Sequence, residues 1–173
     1  MTDPTQPHIA ALRYAPGDPV RDVLQSFAAH LKAQGASVHG LLQEKLFDDE
    51  GACTGVDAID LATNQRIALS RPTRYELDNK VCSLNLGQLA DATAVLRRAL
   101  EQNADIVLVE RFGKTERDGG GLADDLLALM ASGTPTVVSV PEDEFEAWQR
   151  FSGGLGEVVT CDLNALTTWW DGD

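Results

Sequence analysis

A chain of 173 residues is about one domain long. Its 43% hydrophobic and 24% charged residues form a globular composition that excludes wholesale disorder. A net charge of −13 excludes a general nucleic-acid binder, which needs a basic surface.

No apolar run approaches the roughly 20 residues of a membrane span. Met1 to Pro7 lacks a basic and apolar secretion signal and reads as a loose leader, residues 1–7. The expectation is a cytoplasmic protein with no membrane segment and a single α/β domain over 8–173. Residues 1–100 carry 10 Lys or Arg against 12 Asp or Glu, and residues 101–173 carry 4 against 15. An anionic ligand should therefore sit against the first half.

In chain order, His8 to Tyr14 is a short apolar run that suits a buried strand. Pro16-Gly17-Asp18-Pro19 breaks it. Val20, Val23, Leu24, Phe27, Ala28 and Leu31 repeat at helical spacing up to Gly35. Asp18 is the expected N-cap, with Pro19 at the first helical position. Ser37 to Gln43 is the next strand, which closes a βαβ unit. Cys53 to Leu61 and Arg66 to Leu69, joined by a turn at Asn64-Gln65, read as an inserted β-hairpin. Arg71 to Lys80 reads as an irregular loop.

Leu86 to Leu100 is helical. Ile106 to Val109 is a four-residue apolar strand of the kind buried on both faces. It runs into Glu110-Arg111-Phe112-Gly113-Lys114-Thr115-Glu116, and Gly119 to Gly121 form a flexible connection. Helix Leu122 to Ala131, strand Pro135 to Val140, acidic helix Glu142 to Phe151, strand Glu157 to Thr160 and helix Leu163 to Trp170 complete the chain. This alternation predicts a three-layer, mostly parallel sheet with helices on both faces. Strand Ile9 to Tyr14 is expected beside Ile106 to Val109.

Ligands in such sheets bind outside the carboxyl ends of the strands. Three loops qualify: Ala15 to Asp22, Glu110 to Gly121, and the stretch after Val140. The first is where a phosphate-binding loop belongs, yet it has one glycine, two prolines and no Gly-Lys-Ser/Thr. Arg13, Gly17 and Arg21, with Gly113 and Lys114 from the second loop, are the candidate anion-binding residues. Glu110 is placed to hold Mg²⁺ or to orient a nucleophile. Arg66, Arg71, Arg74 and Lys80 form either a basic patch near the hairpin or a solvated face. Cys53, Cys82 and Cys161 show no CxxC pairing and read as small buried apolar residues. Trp169-Trp170 reads as a packing plug, with an aromatic ligand platform or a homodimer contact as the alternative.

Glu110-Arg-Phe-Gly-Lys-Thr-Glu116 and the turn Asp60-Leu-Ala-Thr-Asn64 resemble segments of the THEP-type P-loop nucleoside triphosphatases. In that family Asp-Glu-Ile-Gly-Lys-Met-Glu carries the Walker B acid. A related bacterial family of unknown function is more similar still. It resembles this chain in a Tyr-x-Pro-Gly-Asp turn (Tyr14 to Asp18), in the segment Cys82 to Leu89, in Phe-Gly-Lys-x-Glu (Phe112 to Glu116) with Gly119 to Gly121, and in Trp169-Trp170.

The resemblance spans residues 8–170. It implies a P-loop-like fold with a degenerate Walker A loop, and a small-anion partner: phosphate, molybdate or a nucleotide. Members are often encoded beside molybdate-transport genes, which implies an oxyanion-related role. The missing Walker A Lys and Ser/Thr, and Arg111 in place of a second acid, remove the groups that position and neutralise a triphosphate. The expectation is a binding or regulatory protein with no appreciable ATP or GTP hydrolysis. The alternative is an active triphosphatase in which Lys114 or an arginine replaces the missing cation.

Overall fold

The computed structural model describes residues 7–79 and 86–172. Its strands are β1 (Ile9–Tyr14), β2 (Val38–Phe47), β3 (Cys53–Asp60), β4 (Arg66–Ser70), β5 (Ile106–Val109), β6 (Thr136–Pro141) and β7 (Glu157–Thr160). They form one sheet in the order β4-β3-β2-β5-β6-β1-β7. β2, β5, β6, β1 and β7 run parallel to one another. β3 and β4 extend the sheet antiparallel from β2. The helices are α1 (Val20–Ala33), α2 (Arg74–Asp78), α3 (Leu86–Glu101), α4 (Lys114–Arg117), α5 (Ala123–Ser132), α6 (Phe145–Ser152) and α7 (Leu163–Asp171).

Successive strand residues point to opposite faces, so each apolar strand feeds two cores. Val107 and Val109 of β5 join Ile9 and Ala11 of β1 against α3, α5 and α6 through Leu96, Leu129 and Trp148. Ile106 and Leu108 join Ala10 and Leu12 against α1 and α7 through Phe27, Leu31 and Leu166. The result is a three-layer α/β domain. No helix among the described residues is long and apolar enough to cross a membrane.

Several expectations are corrected. β1 lies inside the sheet but beside β6 and β7, because β6 intervenes between it and β5. β2 is likewise separated from β1 by β5 and β6. Adjacency is a choice among buried strands, and apolar runs alone cannot rank it. The hairpin is one end of a three-stranded meander, since β2 runs on to Phe47.

The loop after Arg71 contains α2, started by a capping box in which Thr73 and Glu76 satisfy each other's backbone N–H. Asp18 is not the N-cap of α1; Pro19 holds that position without a side-chain bond. Pro16 and Gly17 instead form the middle of a turn closed by Asp18 N–H on Ala15 O at 3.1 Å. Gly17 has φ +92°, as the third residue of such a turn requires. The turn swings the Asp18 carboxylate back onto its own entrance, away from the helix.

Cys53 is exposed, against the expectation of a buried thiol. Cys161 is half-buried, and burial raises its thiol to about 11. Cys82 and Lys80 lie outside the described residues. Trp169 is buried in the α1–α7 core and packs on the His8 ring at 4.2 Å, the packing role expected of it.

Candidate functional site

The loop after β5 is built from backbone constraints. The ladder between β2 and β5 ends at Leu41 opposite Val109, and Glu110 N–H still donates to Leu41 O at 2.8 Å. β5 ends at Val109 while β2 runs on, paired with β3 along its other edge, so the Gln43 N–H lies beyond the β2–β5 ladder. The Glu110 carboxylate takes it up: Gln43 N–H donates to Glu110 Oε2 at 2.6 Å. Burial raises the Glu110 carboxyl above its ordinary 4.5, opposed by the Gln43 N–H and by the charges of Arg21 and Arg111.

Arg111 takes the left-handed backbone region at φ +78°, a conformation uncommon outside glycine. It is held there because Arg111 N–H donates to Ser139 Oγ (2.6 Å) and Phe112 N–H to Ser139 O (2.8 Å). Ser139 of β6 is fully buried. This turn drives the Phe112 ring into the core against Trp148 (5.3 Å) and Phe151 (5.1 Å).

Gly113 caps α4 in extended backbone, so its role here is not a left-handed turn. Glu116 then closes the loop: its carboxylate accepts from Gly113 N–H at 3.0 Å and Leu122 N–H at 3.3 Å. Gly121 has φ +57°, and a Cβ there would meet Glu116 Oε1 at 2.3 Å. The Gly119 to Gly121 segment is therefore a fitted turn, with Gly119 N–H on Glu116 O and Gly120 N–H on Thr115 O. Arg117 bonds both carboxylate oxygens of Glu144, at 2.9 and 3.0 Å, and ties α4 to the stretch after β6.

The first loop is shaped differently. Ala15 N–H, just past the end of β1, donates to Asp18 Oδ2 at 2.8 Å. Arg13 lies 3.7 Å from Glu142 and stacks over Phe145, its guanidinium carbon 4.6 Å from the ring centre. Arg21 lies 3.3 Å from Glu44, and Glu44 also binds Arg66. Asp57 in turn holds Arg66 and Arg71. Those three arginines are thus members of an ion-pair network, not a free basic patch, while Arg74 lies at the start of α2. Gly17 is exposed at the tip of its turn.

A cavity of about 310 Å³ opens beside the second loop and is lined there by Glu110, Arg111, Gly113, Lys114, Thr115 and Glu116. None of residues 13–22 lines it. The structure thus places Glu110, Gly113 and Lys114 together, and groups Arg13 and Arg21 with their own counterions instead. Arg21 remains close enough to act on Glu110 electrostatically. The parts not foreseen were the inward turn of Asp18, the Gln43 contact of Glu110 and the counterions Glu44 and Glu142. The spacing of Glu116 from three glycines was the one available signal for the loop clasp.

The donor set does not suit Mg²⁺. That ion demands an octahedral oxygen shell, usually from one or two carboxylates and a phosphate. The Glu110 carboxylate is half engaged by Gln43 and faces the charges of Arg21 and Arg111, and the Glu116 carboxylate on the same cavity is taken up by the Gly113 and Leu122 N–H groups. Among the described residues no three His, Cys, Asp or Glu side chains group to hold a metal.

Residues 9–169 match the family described as "Protein of unknown function (DUF2478)". The chain belongs to that family. This DUF2478 chain is 35% identical over 162 residues to the molybdenum import ATP-binding protein ModC 2 of Bradyrhizobium diazoefficiens, covering 94% of the chain but 18% of that protein. Its fold is shared with THEP1 from the hyperthermophile Aquifex aeolicus, with a TM-score of 0.63 and 17% identity over 95% of this chain and 96% of that one.

Proposed function

We propose that this chain binds a nucleotide or small oxyanion at the carboxyl ends of its strands without hydrolysing nucleoside triphosphates, and that it acts as a regulatory domain in molybdate or tungstate handling. The observation that carries the reading is the Ala15 N–H donated to Asp18 Oδ2. A phosphate-binding loop presents its N–H groups to the ligand; this one presents an N–H to its own carboxylate. Pro16 and Pro19 add no N–H, and the nearby arginines are paired with Glu142 and Glu44. A triphosphate would have to displace fixed negative charge. The molybdenum link is supported by the name of the relative ModC 2.

Lys114 favours the second reading, an active triphosphatase with a substitute cation. It is exposed and makes no ion pair with a described residue. The deciding experiment pairs phosphate release with thermal shift against ATP, phosphate, molybdate and tungstate. A ligand at 100 times its Kd adds about 2.7 kcal/mol, which raises Tm by roughly 5–10 °C for a domain of this size. The expected result is a shift with at least one of these anions and no phosphate release. Turnover of ATP near ~1 s⁻¹ that disappears in Lys114→Ala establishes the second reading instead.

A further inference from the structure

The cavity beside the Glu110–Leu122 loop extends well beyond its charged end. It continues between the β3–β4 hairpin and the first half of α3. Its origin is compositional. Ala58 on the sheet and Ala92 on α3 are both buried in the same core and both line the cavity, so side chains that could fill the gap are missing. Leu41, Val56, Leu69 and Leu89 make the walls. The charged groups gather at the other end, where Arg111 and Lys114 make no ion pair with a described residue, while Gln43 and Ser70 are the uncharged polar side chains along the walls.

This segregation selects a ligand class. A bare tetrahedral oxyanion would meet the cations but leave the apolar walls wet. A wholly apolar guest would fill the walls and strip water from Glu110, Arg111 and Lys114 without replacing its hydrogen bonds, which is costly. Both ends are satisfied by one molecule with an apolar body and an acidic group. At about 310 Å³ the space falls at the small end of ligand cavities.

We propose that this cavity binds a small organic anion with an apolar body, the body between Leu69 and Leu89 and the acidic group toward Lys114 and Arg111. The inference goes beyond the reading above and names a ligand class of its own. It places the ligand on the α3 side of the sheet, clear of the Ala15 to Arg21 turn.

The probe is 2-naphthoate, with 2-naphthylmethanol as its uncharged counterpart, followed by calorimetry and amide NMR on the full chain. The acid is expected to bind and to shift the amides of Leu69, Ala92 and Lys114. The alcohol, and the acid with Lys114→Ala, should bind about tenfold more weakly, the loss of one charge-assisted contact. Leu89→Trp places an indole at the cavity wall and should abolish binding. Thr115→Trp, at the exposed rim, serves the same purpose should Leu89→Trp not fold. Equal affinity for acid and alcohol, binding untouched by both tryptophan variants, or no binding at millimolar concentration overturns the proposal. Phosphate release from ATP bears only on the earlier reading, and so does molybdate binding, so the two can fail separately.

Discussion

The Glu116 carboxylate holds two backbone N–H groups nine residues apart, Gly113 at 3.0 Å and Leu122 at 3.3 Å. It thereby fixes the loop that presents Lys114. Glu116→Ala removes both acceptors. A hydrogen bond to a charged group is worth about 1.5–3 kcal/mol. The loop is largely exposed, so water re-solvates much of what is lost, and the longer bond to Leu122 counts for less. A loss of about 2 kcal/mol is expected, or a Tm lower by roughly 4–8 °C at 2–4 °C per kcal/mol.

Glu116→Gln keeps one acceptor oxygen and should cost about half as much. The clasp also predicts a coupling. Gly121→Ala is strained by φ +57° and by a 2.3 Å approach to Glu116 Oε1. In a Glu116→Ala background the approach to Glu116 vanishes, and the backbone strain and a 3.1 Å approach to Thr115 Cγ2 remain. Urea unfolding of the four proteins measures the cycle, and amide exchange at Gly113 and Leu122 reports the loop directly. Additive losses, or a Glu116→Ala variant as stable as the parent, would refute the clasp.

Phe112 is fully buried against Trp148 and Phe151, so Phe112→Ala should cost about 3–5 kcal/mol in urea unfolding, far more than Lys114→Ala two positions on. Asp18→Ala frees the Ala15 N–H and removes a fixed anion; phosphate affinity measured by calorimetry should rise while ATP turnover stays absent. Glu110 has a folded pKa above its ordinary 4.5 because burial disfavours its charge. Its contribution is therefore fully present below that value and is lost as pH rises through the raised one. Glu110→Gln keeps an acceptor for Gln43 N–H and removes the titration, so its stability relative to the parent should rise as pH climbs above 4.5. A difference that shrinks with rising pH in urea titrations would contradict the burial argument.

Patterning alone carried the layer architecture of this chain. The runs Ile9 to Leu12 and Ile106 to Val109 are apolar at successive positions, and Val137 to Val140 at all but Ser139, which only a sheet covered on both faces can bury. Val20 to Leu31 repeats at the period of one helical face. These are local signals, and the packed domain obeys them. The strand order was decided by the tertiary structure, because every one of those runs is an acceptable neighbour for any other. β6 separates β1 from β5, an order that no single segment encodes.

The same division runs through the site. The place of Glu110 at a strand end followed from the run before it, and the absence of Gly-Lys-Ser/Thr could be read directly. What the charged residues do could not be read, because a charge acts through its partner. Arg13 and Arg21 looked like free cations until Glu142 and Glu44 stood beside them. Asp18 looked like a helix cap until the Pro16-Gly17 turn directed it onto Ala15. The cavity depends on two alanines, Ala58 and Ala92, that are distant in sequence and line one space only once α3 lies across the hairpin. Composition and periodicity determine which residues are buried, since burial depends on a residue and its near neighbours; pairing and empty space belong to the whole chain, since they depend on what folds against what.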